Sequence, residues 1–209
     1  LKKYKNVIFD IGDVLLSYRW FDMLTKDYKD PVSPEEAMKI GKWIFEDPLW
    51  KQMDEGYRPL SDIVDDYCNE NPDKADLLRW FLTNPSLMAV PREDIWKKVH
   101  ELKMKGFRIY LLSNYNPELL YQHSKGAWFY ADIDGKIVSG DYHVLKPDKD
   151  IYDTLFRIYN LDPSECIFFD DRSINIEGGK KEGMDGIAVP DEASLSAEID
   201  KLLMAGPLE

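Results

Sequence analysis

Hydrophobic and polar positions follow two regimes along this chain. Near the start, the apolar run Val7-Ile8-Phe9 stops on Asp10. A continuous apolar run predicts a strand covered on both faces, as in a parallel sheet. The pattern returns at Ile109-Tyr110-Leu111-Leu112, stopping on Ser113-Asn114, and at Cys166-Ile167-Phe168-Phe169, stopping on Asp170-Asp171. Gly186-Ile187-Ala188-Val189 before Pro190 is a fourth such run. Helical spacing separates them. Residues 91–105 set Ile95, Val99 and Leu102 on one face and end at Gly106, and Asn116-Pro117-Glu118 opens another helix. Residues 150–159, 174–182 and 192–203 complete the series. The segment 132–140 reads as a hairpin or a twisted edge around Asp134-Gly135. Strand and helix alternating from residue 91 predict βαβ units.

From about residue 16 to 85 the character changes. Trp, Met, Leu and charged residues recur at helical spacing, and β-branched runs are absent. Ser33-Pro34-Glu35-Glu36 predicts a helix start with Ser33 as cap and Glu36 completing a capping box. Ser61 is expected to cap a second helix, and Asn71-Pro72-Asp73 to break it. The predicted fold is therefore α/β. It is a three-layer Rossmann-like parallel sheet with a catalytic core at 1–15 and 86–209, interrupted by a helical cap at 16–85.

Composition narrows the functions. The chain has 209 residues, 44% hydrophobic and 32% charged, enough for a large core and a charged surface. Its net charge of −12 argues against nucleic acid or an anionic membrane as partner, since both need a basic face. An anionic small molecule needs only local positive charge. No apolar run approaches the ~18 residues that span a bilayer, and Leu1-Lys2-Lys3-Tyr4-Lys5 carries no signal pattern. Cys68 and Cys166 make no disulfide framework. A cytoplasmic location is expected, and the oligomeric state is left open.

The chemistry concentrates where the apolar runs end. Asp10-Ile11-Gly12-Asp13 alone is either an ordinary turn or a reactive acid. In a parallel sheet, however, Asp10, Ser113-Asn114 and Asp170-Asp171 share one edge, where ligands bind. Clustered carboxylates raise one another's pKa unless a cation sits among them, and a few oxygen ligands with room for water suit Mg²⁺. With Lys146 as a fixed positive charge and Ser113 for phosphate oxygens, the set reads as a phosphate site in which one carboxylate attacks phosphorus.

At these residues the chain resembles the haloacid dehalogenase-like hydrolases. Phe9-Asp10-Ile11-Gly12-Asp13-Val14-Leu15, Leu111-Leu112-Ser113-Asn114, Lys146-Pro147 and Phe169-Asp170-Asp171 look like the family's four motifs, in order. Lys146-Pro147-Asp148 and Phe168-Phe169-Asp170-Asp171-Arg172, with Asn175-Ile176-Glu177-Gly178, are similar to the glucose-1-phosphatase-like and epoxide-hydrolase N-domain-like branch. The resemblance implies Asp10 as nucleophile, Ser113, Asn114 and Lys146 as phosphate-binding residues, and Mg²⁺ held by Asp10, the Gly12 carbonyl and Asp171, with Asp170 helping. It also implies a Mg²⁺-dependent phosphatase for a small phosphorylated metabolite, with sugar phosphates among the candidates. A metal-independent dehalogenase and a non-catalytic phosphometabolite-binding protein are the alternatives.

Gly12 departs from the pattern, which usually has a second Asp there for proton transfer. Asp13, Asp54, Glu55 or a water is expected to do that work. The turn Met53-Asp54-Glu55-Gly56-Tyr57 either faces the site or simply joins two helices. Trp20, Trp43, Trp50, Trp80 and Phe81 are expected inside the cap. His100, His123 and His143 show no ligand spacing and are expected at the surface or behind the site, and Asn175 in support.

Overall fold

The computed structural model describes residues 4–208, so residues 1–3 and 209 of the expected core segments lie outside the description. Its strands are β1 (Asn6–Phe9), β2 (Leu16–Tyr18), β3 (Ala89–Pro91), β4 (Arg108–Ser113), β5 (Gly135–Val138), β6 (Cys166–Asp170) and β7 (Asp185–Ala188). Five of them form one sheet in the order β5-β4-β1-β6-β7, with every pairing parallel. The first strand of the chain is thus the middle of the sheet. Its register sets Phe9 opposite both Leu111 and Phe169, so the three strands end level.

Alternation along these buried strands builds two cores. Val7 and Phe9 turn to one face and pack with Ile95, Val99 and Leu102 of the helix Glu93–Met104 and with Leu195 and Ile199 of Glu192–Ala205. Ile8 and Phe168 turn to the other face, against Ile151, Tyr152 and Leu155 of Lys149–Tyr159 and Ile176 of Ser173–Lys181. Each such side chain contributes about 1.5–3 kcal/mol by leaving water. The result is the expected three layers.

The segment 132–140 is not a hairpin. β5 is an edge strand that runs parallel to β4. Asp134 is no turn apex, because its carboxylate accepts from the Ile109 backbone N–H at 2.8 Å and anchors the start of the strand.

The helical insert leaves and rejoins the sheet domain through a two-stranded antiparallel ribbon, Leu16 opposite Pro91 and Tyr18 opposite Ala89. Its main helices are Pro34–Glu46, Pro48–Glu55, Leu60–Glu70 and Ala75–Thr83. Ser33 caps the first by accepting from the Glu36 N–H at 3.2 Å, but the capping box stays half made because the Glu36 carboxylate pairs with Lys74. Ser61 lies inside the third helix, which begins at Leu60. The apolar sides of these helices, among them Ile40, Ile44, Ile63, Tyr67, Leu78 and Phe81, join the same core as Phe9. Among the described residues no helix is long and apolar enough to cross a membrane.

Candidate active site

Asp10 follows the central strand directly, and its N–H donates to the Phe169 carbonyl at 2.9 Å. One carboxylate oxygen, Oδ1, accepts from the Ile11 N–H at 2.7 Å and the Ser113 hydroxyl at 2.6 Å, and lies 3.0 Å from Lys146 Nζ. No donor among the described residues reaches Oδ2. The side chain is held rigidly by one oxygen and leaves the other bare.

Lys146 precedes a cis peptide bond to Pro147. Its ammonium group meets the Leu112 carbonyl at 2.9 Å, Asp170 Oδ2 at 2.6 Å and Asp10 Oδ1 at 3.0 Å. An ammonium has three N–H groups, so all of them are engaged. Burial works to lower the Lys146 pKa, but the Asp10 and Asp170 carboxylates outweigh it and hold it above its ordinary value.

Asn114 has a second partner besides the cavity it lines. Its side chain clamps the backbone of Lys146, donating to the Lys146 carbonyl at 2.9 Å and accepting from the Lys146 N–H at 2.8 Å. A side chain so engaged positions Lys146, and it keeps one amide N–H unengaged at the cavity it lines. Asp170 is likewise saturated: it is fully buried and accepts from Lys146, from the Arg172 N–H at 2.8 Å and from Asn175 at 3.0 and 3.1 Å. Asn175 is the supporting residue expected. Asp171, next along, has no hydrogen-bond donor on its carboxylate among the described residues.

The carboxylates of Asp10, Asp170 and Asp171 each offer an oxygen within 4.8 Å of the others. Burial, reinforced by Asp170 and Asp171, pushes the Asp10 pKa up to about 7, against the opposing pull of Lys146 and Ser113. Burial and then Asp170 push Asp171 up to about 6. These are the marks of acids that lack enough positive charge nearby. An all-oxygen set with that deficit fits a hard divalent cation such as Mg²⁺. Asp171, whose carboxylate carries no donor among the described residues, is the member of the set most free to bind it.

At Gly12 the missing side chain has a structural counterpart. A Cβ there would stand 2.7 Å from the Tyr18 hydroxyl and 2.9 Å from its ring, so Tyr18 fills the room an acid would need. The Tyr18 hydroxyl hydrogen-bonds that of Tyr115, which in turn meets His123 Nδ1 at 2.6 Å. His123 is half-buried and lines the same cavity, and burial lowers its pKa to about 4. His143 sits on the turn of the insert and meets the Glu55 carbonyl, and His100 pairs with Asp132.

The turn Met53–Tyr57 faces the site, but through one acid only. Gly56 adopts φ 72° and lies so close to the Gly140 backbone that a Cβ would stand 2.4 Å from its carbonyl oxygen. Ser139 donates to the Asp54 carbonyl at 2.6 Å and Asn116 to the Met53 carbonyl at 3.3 Å. These bonds dock the turn so that Asp54 lines a cavity of about 280 Å³ together with Asp10, Asp13, Ser113, Lys146 and Asp171. Glu55 is outside that lining and stands 4.0 Å from Lys51. Burial pushes the Asp54 pKa up to about 7, with Asp10 adding to it.

The aromatic residues divide as well. Trp20, Phe45 and Trp50 line the cavity beside Met88, Tyr115 and Leu119, whereas Trp43, Trp80 and Phe81 pack within the insert as expected. Trp20 and Trp50 pack against the core of the insert, as expected, and present a further edge to the cavity. Aromatic content reports bulk, and only packing reports which rings are left facing the sheet.

A family model described as haloacid dehalogenase-like hydrolase matches residues 4–183. A sesquiterpene phosphatase, astK of Aspergillus oryzae, is 21% identical over 201 residues, covering 96% of this chain and 97% of that protein. The bifunctional epoxide hydrolase 2 of Mus musculus is 27% identical over 179 residues, covering 82% of this chain but only 31% of that protein. Among solved structures, a HAD-like family hydrolase of Porphyromonas gingivalis has a TM-score of 0.73 at 16% identity, over 97% of this chain and 98% of that one. A HAD family enzyme of Bacteroides thetaiotaomicron, in complex with magnesium and inorganic phosphate, has a TM-score of 0.64 at 18% identity, over 88% and 93%. The matched span runs from the strand that presents Asp10 past the helix that follows Asp171, and this chain belongs to the haloacid dehalogenase-like hydrolases.

Proposed function

We propose that this hydrolase cleaves a small phosphate monoester, with Asp10 as the nucleophile. The observation that carries the reading is the asymmetry of Asp10: Oδ1 is held by Ile11, Ser113 and Lys146 while Oδ2 faces the cavity chemistry without a donor. In the first step Oδ2 attacks phosphorus, a P–O bond to Asp10 forms, and the P–O bond to the alcohol breaks. The departing oxygen takes a proton. In the second step water attacks the aspartyl-phosphate, gives up a proton, and releases Asp10 and inorganic phosphate.

Each residue has a part in this. Lys146 keeps Asp10 ionised by charge pairing, and Asn114 and Asp170 keep Lys146 in place. Ser113 orients Asp10 and presents its oxygen toward phosphate. Mg²⁺ would be held by Asp10, the Gly12 carbonyl and Asp171, with Asp170 supporting from behind, and when bound it supplies positive charge for the phosphoryl oxygens. Asp54 is our choice for the proton transfers, because it lines the cavity from the insert and Gly12 has no side chain to do so. The phosphatase named among the relatives and the magnesium–phosphate complex of a neighbour agree with this reading. A dehalogenase needs no metal and would leave the bare Asp171 carboxylate without a purpose.

Phosphate release from p-nitrophenyl phosphate tests the proposal. The expected result is Mg²⁺-dependent turnover that falls by about 10³-fold or more in Asp10→Asn, the scale of loss seen when a nucleophile is removed. Halide release from a 2-haloacid without Mg²⁺, or tight phosphate binding with no turnover, would sink it.

A further inference from the structure

We infer that the half of the cavity away from Asp10 is a hydrocarbon pocket, and that the substrate is the phosphate monoester of an apolar alcohol. This rests on the phosphatase reading and adds the nature of the leaving group.

The cavity is bipolar. Its sheet side carries charge: Asp10, Lys146, Asp171 and Arg172. Its other side is Trp20, Phe45 and Trp50 from the insert, closed by Met88 and Leu119. The three rings interlock. Trp20 meets Phe45 with centroids 5.7 Å apart at 72°, and Phe45 meets Trp50 at 4.7 Å and 83°. Trp20 is seated on Gly41, where a Cβ would come within 2.4 Å of its ring. Such edge-to-face packing makes a fixed corner and not the flat face on which a sugar ring lies.

Hydrogen-bonding capacity points the same way. A hexose phosphate brings several hydroxyls, and each one buried without a partner costs binding energy. The hydroxyls of Tyr18 and Tyr115 are bonded to each other and to His123. Ser113, Asn114 and Asn175 donate to groups inside the protein. Asp54, which the chemistry uses, and His123 Nε2 are the polar atoms left on the apolar side, two against the several hydroxyls of a hexose. A hydrocarbon makes no such demand and gains from the apolar wall. The volume of about 280 Å³ falls just below the range of drug-sized ligand pockets (roughly 300–1,000 Å³) and suits a phosphate with a short chain or one ring.

The test compares esters that differ in polarity but share a leaving-group class. Cyclohexylmethyl phosphate and glucose 6-phosphate are both primary esters on a six-membered ring, one bare and one hydroxylated. Dimethylallyl phosphate and phenyl phosphate then distinguish an alkenyl from an aryl source. With the full chain and saturating Mg²⁺, kcat/KM for cyclohexylmethyl phosphate should exceed that for glucose 6-phosphate by at least about tenfold, mainly through KM. Trp50→Ala should cut that ratio several-fold, and Trp50→Phe should restore part of it. Equal or reversed preference in the wild type, or a ratio unmoved by Trp50→Ala, overturns the inference and leaves the phosphatase reading standing. If none of the four esters releases phosphate, both fall together.

Discussion

The carboxyl edge of the sheet and the inner side of the insert face each other across one cavity, and they are built by different means. At the sheet edge almost every polar atom is already engaged: Lys146 with three acceptors, Asp170 with three donor residues, Asn114 with the Lys146 backbone. Parallel strands that end level hold these groups to a fixed geometry. The insert presents instead a corner of aromatic rings and one acid, carried on helices that dock through the turn at Gly56. Preorganised charge suits a reaction common to many phosphate esters, whereas a shaped apolar wall suits a choice among them. Asp54 and Tyr18 belong to both regions, since each reaches from the insert side toward Asp10.

If the sheet edge is the part that cannot be altered, Lys146→Met should cost most. It leaves Asp10 and Asp170 as buried charges without their counter-ion, a loss of about 3–5 kcal/mol in stability, and urea unfolding with Mg²⁺ absent measures it. A change below about 1 kcal/mol would mean that the two acids share a proton and need no lysine.

Asp54→Asn should lower kcat by about 10²-fold or more and flatten the limb of the pH profile near neutrality. Glu55→Gln, one residue on but outside the cavity, should stay within about twofold. Equal effects would return the proton transfers to water or to Asp13, whose carboxyl accepts from the Tyr18 N–H at 3.3 Å.

Restoring an acid at the first motif should not help. Gly12→Asp drives its side chain into Tyr18 and should cost about 1–3 kcal/mol by overpacking. Combined with Tyr18→Ala, which opens that space, part of the loss should be recovered. Thermal melts of the single and double variants show whether Tyr18 and Gly12 are coupled, and additive losses would say they are not.

The smallest effect is on pH dependence. Folded Asp10, Asp54 and Asp171 release protons near pH 7, 7 and 6, whereas unfolded aspartates release them near pH 4. Between those limits the folded state holds more protons, so stability falls as pH rises. Without metal, Tm should drop by several degrees from pH 5 to 8, and Mg²⁺ should remove most of the drop by binding the folded form. The surface acids with lowered pKa, such as Asp22 and Asp94, are ionised throughout this window and do not contribute. A metal-free Tm that rises from pH 5 to 8 would contradict the charge deficit argued for the strand edge.

Much of the sheet was legible in the residues themselves. A strand covered on both faces needs an unbroken apolar run, and the polar residue that ends each run must sit at the edge; Asp10, Ser113, Asp170 and Asp171 are found by that rule alone. Lys146 was found by motif order, its geometry by the fold. Three things were decided only by tertiary structure. Which of Asp54 and Glu55 faces the cavity depends on how the turn docks on Ser139 and Asn116, because neighbouring helical side chains point about 100° apart. That Asn114 clamps Lys146 depends on a residue 32 positions away. Which rings of a tryptophan-rich insert line the site depends on the packing of four helices from one segment, and an amphipathic pattern says that a face is buried without saying against what. Local sequence determines where the chain turns polar, since burial punishes any exception; it does not determine which of the surviving polar atoms are left unpaired, since that depends on every neighbour at once.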